Sequence, residues 1–161
     1  MSKATPSISS PMAAWQPEGE AAPDAAVSLV IPVRFAETDL MGVVHHSVYV
    51  VWFEAGRVAW MEAAGMPYAE VAAGGHHFAV TGIRVEYRTV AHFGETVTVV
   101  SRLARLRSRQ VAFTYEVRRG DELLATGMSE HVCVDLAGRV AKIPAEVAAR
   151  LIEGAARLAG V

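Results

Sequence analysis

At 161 residues, 52% of them hydrophobic, the chain is of single-domain size and long enough to bury one sizeable core. A formal net charge of -2 and a pI near 6.3 argue against general affinity for nucleic acid or an anionic membrane surface, so an anionic ligand has to be held by a local cluster. A single cysteine, Cys133, excludes an intramolecular disulfide framework. No stretch reaches the ~18 apolar residues of a membrane span, and the N-terminus lacks the apolar run of a signal peptide. The expectation is a soluble, cytoplasmic protein.

Residues 1–27 mix Pro, Ser, Ala, Glu and Asp with too little apolar surface to offset ordering entropy, and read as a flexible extension ahead of one domain over 28–161. From Ser28 to Glu37 the chain alternates loosely and is rich in β-branched residues, which predicts a first strand ending close to Glu37. A loop with Asp39 and Gly42 follows. Between Ser47 and Gly65 the apolar spacing turns helical: Tyr49, Trp52, Phe53, Gly56, Trp60, Ala63 and Ala64 share one stripe, with Glu54, Arg57 and Glu62 off it. Ser47 stands as N-cap, and Gly65 followed by Pro67 supplies the stop. After Gly74-Gly75, strands are predicted at about 77–88, 94–107, 109–119 and 122–135, as an antiparallel meander. In the third of them Val111, Phe113, Tyr115 and Val117 fall on one face. An amphipathic helix from Pro144 to about Leu158 closes the chain.

A long apolar helix between one strand and four more can be covered only by a sheet that curls around it. That is an α+β hot-dog architecture, a single domain with a five-stranded antiparallel sheet wrapped around a long central helix. Its edges remain to be hidden, so a homo-oligomer is expected.

The segment from Phe35 to Glu54 carries the chemistry. Asp39 is a carboxylate able to attack a carbonyl or draw a proton from water, and three residues later Gly42 turns the loop towards the start of the helix. Unpaired amides and the positive end of the helix dipole there suit the oxyanion of acyl transfer. A thiolate leaves more readily than an alkoxide, so one acid and an oxyanion site can suffice for a thioester.

The run Glu37, Thr38, Asp39, Gly42, Val43, Val44, His45, His46 and Tyr49 resembles the signature of the 4-hydroxybenzoyl-CoA thioesterase family, including its Tol-Pal-associated branch, and the similarity extends over roughly residues 28–150. The resemblance implies hydrolysis of an acyl-CoA to free acid and CoA. It puts Asp39 in the place of the catalytic carboxylate and the His46 backbone amide in that of the oxyanion donor, with Gly42, Val44, His45 and Tyr49 around the substrate. It implies a homodimer or homotetramer and no cofactor, CoA being part of the substrate. Glu37 stands where Asp is commoner and Val48 where Asn often precedes the Tyr, departures that bear on substrate choice. The turn ending at Gly127 is similar to the hairpin that joins the family's last two strands.

Other residues compete for roles. Glu37 reads as structural, orienting a loop amide. Glu54 is a rival acid, because a second thioesterase lineage of this fold carries its carboxylate on the central helix. His45 and His46 are adjacent, their side chains are expected to diverge, and no metal spacing accompanies them, so no metal is expected. His76 and His77 face opposite ways in a strand. Cys133, among valines, reads as a packed small hydrophobe. Arg105, Arg107 and Arg109 share a face at period two and suit the phosphates of CoA, against the alternative of a solvated strand end. Two rivals to hydrolysis are a hot-dog enoyl-CoA hydratase and a non-catalytic acyl-CoA-binding protein.

Overall fold

The computed structural model describes residues 24–161, with β1 (Ala26–Pro32), α1 (Val48–Ala63), α2 (Tyr68–Ala73), β2 (His76–Tyr87), β3 (Thr96–Leu106), β4 (Gln110–Arg119), β5 (Glu122–Asp135) and α3 (Ala145–Ala159). Most of the expected extension lies outside the described residues. Its last residues belong to the domain instead: Ala25 is buried, its carbonyl accepts the Trp60 indole N–H at 2.7 Å, and β1 begins at Ala26. β1 also stops earlier than expected. Pro32 is its last paired residue, and Phe35–Glu37 form a 3-10 turn rather than more strand.

All four pairings are antiparallel, in the order β1-β3-β4-β5-β2. Only β3, β4 and β5 make the expected meander; β2 lies at the far edge beside β5. The reason is the helix between β1 and β2: the sheet encloses α1 when the strands that flank it in sequence take opposite edges, with β3 returning to pair with β1. One end of the sheet therefore carries Pro32, Thr96, Arg119 and Tyr87, and the other carries Ala26, Leu106, Gln110 and His76.

The apolar stripe of α1 is buried against the sheet through Tyr49, Trp52, Phe53, Gly56, Trp60 and Met61. The Phe53 ring stacks on Tyr115, centroids 4.4 Å apart at 4°. Gly127 makes room for it, since a Cβ there would meet the Phe53 ring and stand 2.7 Å from the Arg84 carbonyl. Trp60 meets Phe113 edge-on at 5.5 Å, and Val111, Phe113, Tyr115 and Val117 are all buried as expected. Arg57 departs from the sequence reading: it is 7% exposed and its guanidinium lies 5.4 Å from the Tyr68 ring. Tyr68 belongs to α2, a helix for which the sequence carries no clear signal, since one and a half turns are too short to show a period. α3 starts after Pro144, which sits at its N-cap, and crosses the C-terminal end of α1, where Arg157 donates to the Ala63 carbonyl at 2.8 Å. No helix among the described residues is long and apolar enough to cross a membrane.

Candidate active site

The loop between β1 and α1 is a short hairpin at the Pro32–Tyr87 end of the sheet. Thr38 and Val44 pair across it, His45 N–H donates to Glu37 O at 2.8 Å, and Asp39 N–H donates to Val43 O at 2.9 Å. Gly42 closes the turn, its N–H donating to Asp39 O at 2.9 Å and its φ of 76° lying where a side chain is strained. Asp39 is half-buried; its Oδ1 accepts the Met41 amide at 2.8 Å, an Asx turn that fixes the side chain from its own loop. Leu40 and Met41 form an exposed apolar tip.

The second arm of the hairpin leads into α1. The His46 N–H has no hydrogen-bond partner among the described residues, while the His46 carbonyl is held by the Tyr87 hydroxyl at 2.8 Å. Burial pushes the Tyr87 phenol up, so it remains a donor. Ser47 occupies the N-cap as expected but makes no side-chain cap; its Oγ instead lies 2.7 Å from His45 Nδ1. Contrary to expectation the adjacent His45 and His46 rings do not diverge, since their centroids are 4.1 Å apart. Among the described residues no three His, Cys, Asp or Glu side chains are grouped to hold a metal ion.

Behind the loop, Glu37 is 5% exposed. Its carboxylate accepts Arg34 N–H at 2.8 Å, the Arg34 guanidinium at 3.1 Å and Trp52 Nε1 at 3.2 Å, which ties the loop to the middle of α1. Burial by itself would raise this carboxyl, but the hydrogen bonds from Arg34 and Trp52 outweigh it and hold it below its usual value. Val44 is buried and gives its amide to Ala91 O at 2.8 Å, so it anchors the hairpin to the β2–β3 loop. There Val43 bridges His92, and the Glu95 carboxyl is held low by the His92 amide and by Arg119 at 2.7 Å. Tyr49 is buried between Trp52, at 5.0 Å, and Tyr87, at 5.2 Å.

The arginine run does not join this site. β3 ends at Leu106, so Arg107 and Arg109 lie in the β3–β4 turn, while Arg105 follows a register shift and binds Glu130 at 2.7 Å. The three do not share a strand face, because the bulge and the turn break the alternation. They sit at the opposite end of the sheet, ~30 Å from the hairpin at ~3.3 Å per strand residue. Glu54 is exposed, Cys133 is buried with its thiol pushed up by burial, and His76 and His77 take separate partners, Gly74 O and the Tyr68 hydroxyl.

Sequence reasoning missed a second polar group. On the sheet floor the Tyr115 hydroxyl lies 2.6 Å from Ser129 Oγ, which lies 2.7 Å from His131 Nε2, with Arg57 nearby on α1. Burial first, and the Arg57 charge second, pull the His131 imidazole down to about 4, leaving it neutral. A strand pattern with Ser and His two apart is the one signal that could have found it.

A five-stranded antiparallel sheet curled on one helix, with a carboxylate-bearing turn at the helix start, is the hot-dog arrangement. The chain belongs to the Thioesterase-like superfamily, whose pattern matches residues 33–151, and is a thioester hydrolase. It is 35% identical over 106 residues to YneP of Bacillus subtilis (strain 168), provisionally named an acyl-CoA thioesterase, covering 65% of this chain and 77% of that protein. The crystal structure of TT1821 from Thermus thermophilus is similar with a TM-score of 0.75 and 47% identity, over 78% of this chain and 95% of that one. A DHNA-CoA thioesterase from Staphylococcus aureus is similar with a TM-score of 0.69 and 29% identity, over 73% of this chain and 79% of that one.

Proposed function

We propose that the protein hydrolyses acyl-CoA thioesters, with Asp39 as the acting carboxylate and the His46 amide as oxyanion donor. The observation that carries this reading is one hairpin holding a half-buried, loop-fixed carboxylate on one arm and an amide without a partner, at the start of a buried helix, on the other. The thioester carbonyl oxygen accepts the His46 N–H. Asp39 draws a proton from water as the water oxygen adds to the carbonyl carbon; the C–S bond then breaks, and the CoA thiolate takes up a proton, leaving free acid and CoA thiol. In a variant of the same chemistry Asp39 itself attacks and water cleaves the acyl-aspartyl anhydride. Tyr87 steadies the His46 peptide from its carbonyl side.

The free edge of β2, with Val80, Ile83 and Tyr87 partly exposed, supports pairing with a second copy as a homodimer, or a homotetramer built from two such dimers. Arg105, Arg107 and Arg109 can reach the phosphates of CoA only from a neighbouring subunit, given their place at the far end of the sheet. The compartment proposed is the cytoplasm.

Thiol release from a panel of acyl-CoAs, wild type against Asp39→Asn, tests the reading. Asn keeps the acceptor oxygen of the Asx turn but not the charge, so the rate should fall ~10²- to 10⁴-fold with the melting temperature unchanged. Equal rates would abandon Asp39, and no thiol release from any substrate would favour the non-catalytic acyl-CoA-binding alternative.

A further inference from the structure

A cleft of about 80 Å³ opens along the side of α1 that faces β2. Its walls are Val50, Phe53, Val80 and Ile83, and its floor is Tyr115, Ser129 and His131. Arg57 closes the end away from the hairpin, with Glu54 on the rim. Arg57 is 7% exposed, yet its Nη1 has no hydrogen-bond partner, and among the described residues it has no ion-pair partner. His131 is 2% exposed and its Nδ1 is likewise without a partner. A buried guanidinium N–H left open is costly, and the group that best relieves it is an anionic acceptor oxygen, which guanidinium binds through paired N–H donors. The apolar walls in front of it suit methylene groups.

Distance sets what can reach it. Arg57 lies eleven residues beyond His46, ~16 Å along the helix at ~1.5 Å per residue. The arginine side chain leans back towards the helix N-terminus by up to ~6 Å, and an extended chain advances ~1.2 Å per bond, so roughly 8 to 13 bonds separate a carbonyl at His46 from the guanidinium of Arg57. We infer that the cleft reads the far end of the acyl group, and that the preferred substrates are acyl-CoAs ending in a carboxylate, the monothioesters of dicarboxylic acids of about nine to fourteen carbons. The inference rests on the proposed placement of the thioester at His46. The Tyr115 and Ser129 hydroxyls on the floor are bonded to each other and to His131, so Arg57 is the group that meets the carboxylate, and its attraction has to outweigh the Glu54 carboxylate on the rim.

The test compares, at the chain length of about nine to fourteen carbons that is turned over fastest, the CoA monothioester of a dicarboxylic acid with the acyl-CoA of the same length, which differ only at the end that meets Arg57. Wild type should favour the first by at least about tenfold in kcat/KM. Arg57→Met should abolish or reverse that ratio, and Arg57→Lys should restore part of it, since ammonium keeps the charge without the fork. Binding of the two free acids, followed by calorimetry on wild type and Asp39→Asn, gives a readout independent of turnover. If neither thioester is hydrolysed but the diacid binds about tenfold more tightly than the monoacid, the proposed reaction fails and the subsite stands. A wild type that hydrolyses both thioesters alike and binds both acids alike overturns the inference, as does a preference untouched in folded Arg57→Met. The latter would give Arg57 only a packing role.

Discussion

Taking the protein from about pH 7 to about pH 5 should expose the strain of holding His131 neutral. The ring is enclosed by Arg57 from α1, Tyr115 and Phe113 from β4 and Ser129 on its own strand, with Glu54 at the rim. It titrates at about 4 in the folded chain, against 6.5 when free. At the lower pH the unfolded chain therefore binds a proton that the folded chain refuses. Stability from this source is complete above the unfolded value, is lost as pH falls between 6.5 and about 4, and falls no further below that. Counted in full the loss near pH 5 is about 2 kcal/mol. The ring borders a cleft, and screening there reduces the expectation to about 1 kcal/mol, a shift of about 2–4 °C in melting temperature for a domain of this size. The assay is thermal unfolding of wild type and His131→Asn at both pH values, with protomer concentration held constant because association would itself move the midpoint. His131→Asn should lose less on acidification than wild type by that margin, since Asn does not titrate. An equal loss in the two proteins would refute the argument that the ring is kept neutral by its surroundings.

Two substitutions test the packing and the hairpin. Gly127→Ala drives a methyl into the Phe53 ring and towards the Arg84 carbonyl, and should cost about 2 kcal/mol, read as a lower denaturation midpoint; an unchanged midpoint would mean that the ring does not sit on the glycine. Tyr87→Phe removes the hydroxyl that holds the His46 carbonyl at 2.8 Å. A lost hydrogen bond of about 1 kcal/mol should lower the melting temperature by about 2–4 °C, and kcat for thiol release should drop by up to roughly fivefold, the limit in which the bond acts wholly on the transition state; an unaltered kcat would show that this bond does not steady the oxyanion amide.

The elements legible beforehand are those with a long, clean period. The α1 stripe, the alternation through β4 and the Gly-marked turns each announce themselves, because a side chain's direction in a helix or strand follows from local geometry alone. The superfamily was legible for a related reason: a turn carrying Asp39, Gly42 and then a helix start is a local object, written in consecutive residues. The misjudged elements depended on distant partners. Arg57 looked like a solvent-facing residue because its charge was weighed without Tyr68 and the β4–β5 floor that bury it. Arg105, Arg107 and Arg109 looked like one face because a period of two was continued through a bulge and past the end of β3.

The sequence by itself determined the helix, the strands and the acid-bearing turn. Only the tertiary structure decided that β2 would cross to the far edge, that Glu37 would lock the loop onto Trp52, and that Arg57, Tyr115, Ser129 and His131 would share one cleft. Local patterns depend on the backbone's own geometry, whereas which buried polar groups meet depends on how a whole sheet curls round one helix. No run of neighbouring residues records that.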